Sequence, residues 1–171
     1  MVSLYFHGIY QRAFLEGSKH LAAPSACYGY IVGIDEMALA SGCGEVPHDR
    51  GASVYVAGYY GLIAGLLRLV DAGYTGPVEL CTDANLIVEH MTMVSSVESP
   101  ALDSLQQRAT ELVDLFNGVT WRCVSRSQNR AAKDLCWDAS FKAYEDAIFL
   151  NTNVRLKTVE QDGLGTYALT C

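Results

Sequence analysis

Asp83 is the first residue of this chain whose placement invites chemistry. It follows Val78-Glu79-Leu80-Cys81-Thr82, a strand-like run after a Gly76-Pro77 turn, and it precedes the helix-like run that opens at Asn85. A carboxylate at the carboxyl edge of a strand, beside helix amides that lack partners, sits where open α/β sheets take their ligands. The same carboxylate would also serve as an N-cap, worth about 1 kcal/mol to the helix it opens, and residue type alone leaves both roles open. His7 is the second candidate, at the end of an alternating Val2, Leu4, Phe6 run. Arg122, Arg126, Arg130 and Lys133 form a basic run uninterrupted by acids. Arg126 and Arg130 could grip phosphates with Asn129 as a hydrogen-bonding partner, against the plainer reading of a solvated helix start.

The elements that must position these residues can be read in order. The first strand ends at His7-Gly8, and Gln11 to Ser25, with its Gly, Ser, Lys, His and Pro, reads as a long loop. Ala26 to Ile34 and Met37 to Val46 are two strands joined compactly across Asp35-Glu36. Ser53 caps a helix that reaches about Leu69, with a broad apolar face from Val56 to Val70. Gly58, Gly61 and Gly65 each cost that helix up to about 1 kcal/mol against alanine, which implies a close backbone approach. Asn85 to Met93 and Leu102 to Phe116 read as helices, Val119 to Val124 as a fifth strand, and Asn129 to Leu150 as a long last helix. Beyond the domain at 1–150, a tail at 151–171 carries two β-like runs, Asn153 to Val159 and Thr166 to Leu169.

Length and composition bound the possibilities. A chain of 171 residues that is 50% hydrophobic suits one domain with a real core. Its apolar runs are short, so neither a membrane span nor a secretory leader is expected, and a cytoplasmic protein follows. The six cysteines lack any Cys-x-x-Cys pair and read as reduced core residues. A formal net charge of −7 repels a phosphate backbone at long range, so a nucleic-acid contact needs a local basic patch.

Strand, strand, strand, helix, strand, helix, helix, strand, helix resembles the ribonuclease H fold, in its type I and reverse-transcriptase-associated branches. His7-Gly8 is similar to the family's Asp-Gly at the end of strand one, and Tyr28-Gly29-Tyr30-Ile31-Val32 to its second strand. Ala57-Gly58-Tyr59-Tyr60-Gly61-Leu62-Ile63-Ala64-Gly65-Leu66 resembles its Ala-Glu-Tyr-x-Ala-Leu-x-x-Gly-Leu helix. Thr82-Asp83-Ala84 stands for Thr-Asp-Ser, and Arg126-Ser127-Gln128-Asn129 with Ala132 and Leu135 for Arg-x-x-Asn-x-x-Ala-Asp-x-Leu. The resemblance implies an α/β fold with a five-stranded mixed sheet, three antiparallel strands and then two parallel, flanked by helices.

That family's chemistry uses four acidic residues to hold two Mg²⁺ ions roughly 4 Å apart. The matching positions here are His7, Gly58, Asp83 and Lys133, so one carboxylate of the four remains. Gly58 has no side chain to ligate with, and imidazole is a poor ligand for Mg²⁺. An ammonium about 4 Å from a divalent ion is repelled by roughly 8 kcal/mol at an effective dielectric near 20. A slip of one residue would make Asp134 the missing acid, although one residue turns a helix by about 100°. Asp35, Glu36, Glu45 and Glu89 fall on elements away from this edge and read as surface acids. Val54 and Tyr55 stand where hybrid-cleaving relatives often carry an Asn pair.

The expectation is therefore a domain that has lost hydrolysis and is kept as a nucleic-acid-binding or scaffold module. No cofactor is expected, and RNA, DNA or an RNA/DNA hybrid would be a weak partner. A nuclease with an altered metal site is the first alternative, with His7, Asp83 and Asp134 around one Mn²⁺ or Zn²⁺, or residual Mg²⁺ use. A structural dimer or protein-interaction module, joined through the Gly-rich helix or the tail, is the second. Lys133 is expected to stand in for the metal by pairing with Asp83, with His7 adding a hydrogen bond.

Overall fold

The computed structural model describes residues 1–11, 25–35, 37–47, 51–94 and 99–161. Strands β1 (Val2–Gln11), β2 (Ser25–Ile34) and β3 (Met37–Glu45) form an antiparallel meander. Helix α1 (Val54–Asp71) follows, then strand β4 (Val78–Thr82), helices α2 (Asn85–Met91) and α3 (Pro100–Val113), strand β5 (Val119–Cys123) and helix α4 (Arg130–Gln161). The sheet order is β3-β2-β1-β4-β5, with β4 parallel to β1 and β5 parallel to β4. This is the mixed five-stranded sheet expected from the motif order.

The period of two along β1 and β4 divides the molecule into two layers. Leu4, Phe6, Val78 and Leu80 face one side and join Tyr59, Leu62, Leu66, Ile87, Leu102, Ala109 and Leu112 in the main core. On that side α1 packs against β1, β2 and α3. Ser3, Tyr5, His7, Glu79, Cys81 and Asp83 alternate with them and point to the other side, where α4 crosses β1, β2 and β3. A smaller cluster of Ile9, Cys27, Cys136 and Ala139 fastens α4 to the upper half of that face.

Two glycines set how closely the helices approach. A Cβ on Gly8 would lie 2.3 Å from the backbone nitrogen of Gly58 and 2.6 Å from the carbonyl oxygen of Val54, so only glycine lets β1 lie against α1 here. Gly29 does the same for α4, where a Cβ would lie 2.5 Å from the carbonyl oxygen of Ala132. The glycines of α1 repay their helical cost in the same way, since a Cβ on Gly61 would crowd the carbonyl oxygens of Gly29 and His7 at 3.1 and 3.2 Å. Ser53 caps α1 by accepting the amide of Val56 at 3.1 Å.

Several boundaries differ from the sequence expectation. β1 does not end at His7-Gly8; it runs on to Gln11 because β2 pairs with it along its whole length, from Val2↔Ile34 to Gln11↔Ser25. Gln11 and Ser25 are thus strand residues, and the rest of the expected loop, 12–24, lies outside the described residues. α4 does not stop near Leu150. No Gly or Pro interrupts Arg130–Gln161, so the Asn153 to Val159 run is helix rather than strand, and α4 crosses the boundary placed at 150. The Thr166 to Leu169 run lies outside the described residues. Cys27, Cys81 and Cys136 are buried free thiols, as expected, but Cys43 and Cys123 are exposed because they lie on the two edge strands.

Candidate functional site

β4 ends at Thr82 while β1 continues, and the parallel register that pairs Ser3 with Glu79 and Tyr5 with Cys81 carries on to bring His7 beside Asp83. His7 Nδ1 lies 2.7 Å from Asp83 Oδ1. From the start of α4, Asn129 Nδ2 donates to the same Oδ1 at 2.6 Å and to the Phe6 carbonyl oxygen at 2.9 Å. Asn129 is only 1% exposed, and its Oδ1 is buried without a partner among the described residues. The Cys136 thiol donates to the His7 carbonyl oxygen at 3.3 Å, so β1 is held to α4 on both sides of the imidazole.

Burial drives the Asp83 carboxyl toward a higher pKa, but the hydrogen bonds from His7 and Asn129, helped by the His7 charge, outweigh it and hold the value at about 2. Asp83 is therefore an anion at neutral pH and accepts from His7. That assigns the proton to Nδ1 and leaves the Nε2 edge of the ring for the cleft. Asp83 is not a helix cap: α2 is preceded by Ala84, which makes no side-chain cap bond, and the Ala84 amide donates to Thr82 Oγ1 at 3.2 Å.

The pair lies in a cleft of about 810 Å³ between the far end of β1, the start of α1, the β4–α2 junction and the start of α4. Its charged lining, among the described residues, is His7, Asp83, Arg126 and Lys133. The Lys133–Asp83 pair expected from the sequence does not form; Asp83 is met by His7 and Asn129 instead, and Lys133 makes no ion pair among the described residues. Asp134 points away from the cleft, with its side chain 61% exposed and 3.6 Å from Arg130 Nε, so the one-residue slip places no acid at the site. Gly58 is buried and does not line the cleft; a Cβ there would lie 2.5 Å from Ile87 Cδ1 in the core.

The basic run is dispersed by the fold. Arg126 reaches the cleft, Arg130 turns outward to Asp134, and Arg122 binds Glu79 at 3.0 Å and the Tyr5 hydroxyl at 3.0 Å on another part of the sheet. Asn129 is buried and committed to Asp83 and Phe6, so it is a positioning residue and not a surface partner for phosphate. Val54 and Tyr55 do line the cleft, at its α1 rim. The sequence reading missed Trp137, which faces the same cleft one helical turn beyond Lys133; its spacing from Lys133 was the available signal.

These residues do not fit a pair of Mg²⁺ ions. A hard divalent ion needs several oxygen donors, and the family positions supply one carboxylate, an imidazole whose Nδ1 already serves that carboxylate, an apolar contact at Gly58 and an ammonium. Among the described residues no group of three or more His, Cys, Asp or Glu converges as a metal site.

The comparisons agree with the geometry. The "Reverse transcriptase-like" family model matches residues 28–139. The Mycobacterium tuberculosis bifunctional protein Rv2228c is 37% identical over 92 residues, which is 54% of this chain and 25% of that protein. This chain thus spans about a quarter of the length of that relative. The N-terminal RNase H domain of rv2228c, solved as a fusion with maltose-binding protein, superposes with a TM-score of 0.71 at 29% identity, covering 85% of this chain and 97% of that one. RNase H1 from Halobacterium salinarum gives 0.69 at 25% identity over 82% and 98%. LC11-RNase H1, solved with an RNA/DNA hybrid, gives 0.71 at 21% identity over 84% and 99%, a likeness of fold. By the span of the family match and by its sheet order, this chain belongs to the reverse-transcriptase-like family of the ribonuclease H-like superfamily.

Proposed function

We propose that this chain is a ribonuclease H-like domain that has given up two-metal hydrolysis and acts as a nucleic-acid-binding module. The observation that carries the reading is at Asp83: the one surviving family carboxylate is held by His7 and Asn129 through a single oxygen, in a cleft whose other charged groups, among the described residues, are cationic. A lone carboxylate cannot assemble two ions, whereas a cleft with two side-chain cations suits a polyanion. Nucleic acid is favoured as the partner because a relative of the same fold, LC11-RNase H1, was solved with an RNA/DNA hybrid.

The test is hydrolysis and binding measured side by side. An RNA/DNA hybrid should bind and stay intact in Mg²⁺ and in Mn²⁺, with affinity falling as salt rises at roughly −0.9 per phosphate neutralised. Turnover that disappears in Asp83→Asn would overturn the loss of hydrolysis. Absence of binding to hybrid, RNA and DNA alike would overturn the nucleic-acid reading.

A further inference from the structure

Lys133 and Arg126 line the Asp83 cleft without an ion-pair partner among the described residues, in a chain whose formal net charge is −7. The other basic residues of the run are engaged, Arg122 by Glu79 and Arg130 by Asp134. Asp83, the one carboxylate in the described cleft lining, has its side chain only 8% exposed and is gripped by His7 and Asn129. Lys133 occupies the α4 position that the resemblance assigns to a metal-binding acid, and Asp134, about 100° further round the helix, points to Arg130 instead.

We infer that the cleft is a metal-free phosphate seat, in which the Lys133 ammonium and the Arg126 guanidinium bind one nucleic-acid backbone phosphate directly, in the role that divalent ions would otherwise play. The inference rests on the nucleic-acid reading above and deepens it. The ligand class is a phosphodiester: Arg126 offers a planar fork of N–H donors, Lys133 a point charge on a flexible stem, and His7 lines the same cleft. Trp137, half-buried on the same helix face, and Tyr55, exposed at the opposite rim, supply aromatic surface on which a base next to that phosphate can stack. A divalent ion has no ligand set here, so added Mg²⁺ acts on the phosphate as a competitor of Lys133 and Arg126.

The consequence is an inverted metal dependence. With a fluorescent RNA oligonucleotide, its DNA counterpart and the hybrid as probes, affinity should persist in EDTA and fall when Mg²⁺ is added at constant ionic strength. Lys133→Ala and Arg126→Ala should each weaken binding about tenfold, the loss of one charge-assisted hydrogen bond. Lys133→Asp, which puts an acid at that position, should weaken it further, while Arg130→Ala should leave it unchanged. Inorganic phosphate should compete with the oligonucleotide more strongly than chloride of equal ionic strength. Thermal unfolding of each variant, read beside binding, separates loss of the seat from loss of the fold. Binding that requires Mg²⁺, or that survives Lys133→Asp and Arg126→Ala, would overturn the seat and leave the nucleic-acid reading standing; no binding by any probe would remove both.

Discussion

The two faces of the central strands have kept different things. On the α1 face, Leu4 and Phe6 of β1 and Val78 and Leu80 of β4 share one largely apolar core with α1, with Gly8 pressed against the α1 backbone. On the α4 face, the residues in between are polar or ionisable, and at the end where β4 stops they are His7 and Asp83. A single residue of register separates a position whose substitution disturbs the fold from one whose substitution rewrites the chemistry. Gly8 is held to glycine by the α1 backbone packed on it, whereas its neighbour His7 turns into the cleft and bonds Asp83.

The largest test of this contrast is Gly8→Ala. The new methyl meets backbone atoms of α1, which cannot step aside as a side chain would, so the protein should lose about 3 kcal/mol or more in urea unfolding. A loss under 1 kcal/mol would show that the α1 face is not as rigid as its contacts imply.

The next concerns the other face and pH. Asp83 has its pKa lowered, so its ionised form contributes stability that is complete above the unfolded carboxyl value, near 4, and is lost as pH falls toward about 2. That contribution is roughly 2 kcal/mol, since each pKa unit is worth about 1.4 kcal/mol. Asp83→Asn should be less stable at neutral pH and should lack this acid limb between pH 4 and 2. An unchanged limb would place the responsible carboxylate elsewhere.

The smallest effect is expected at Gly58→Ala. Helix propensity favours alanine by up to about 1 kcal/mol, and the methyl meets the end of the flexible Ile87 side chain, so the net change should lie within about 0.5 kcal/mol. A loss as large as that at Gly8 would mean that α2 cannot yield and that the core has fixed this position as firmly as the β1 contact.

What was legible in the sequence follows the same division. Ser53 announces the start of α1, and the alternation of Val78 to Thr82 announces β4, because caps and periodicity are local properties. The choice of Lys133 over Asp134 as the cleft residue was also local, a matter of helical rotation. The partners of Asp83 were not. Whether Asn129 turns inward to bind Asp83 and Phe6, or outward to meet solvent, depends on how α4 sits on the sheet, and that is set by Gly29, a hundred residues earlier, and by the bond from Cys136 to His7 on a strand more than a hundred residues away. The same tertiary constraint decides that Arg126 and Arg130, four residues apart, serve different surroundings. The extension of α4 past Leu150 was missed for the opposite reason: β-branched residues near Asn153 suggested a strand, but no residue there breaks a helix.

The overhang of β1 beyond β4 has a mechanical consequence. From Gly8 to Gln11 the strand has β2 on one side and open cleft on the other, so this wall is the free edge of the ribbon that β1, β2 and β3 form. Ile9 and Cys27 on the ribbon interlock with Cys136 and Ala139 on α4, and Ser140 Oγ bonds Gln11 Oε1 at 2.8 Å. Lys133 lies less than one turn before Cys136 on that helix. Ribbon and helix are therefore fastened to each other directly, so the helix turn that carries Lys133 and the cleft wall share contacts that lie outside the main core.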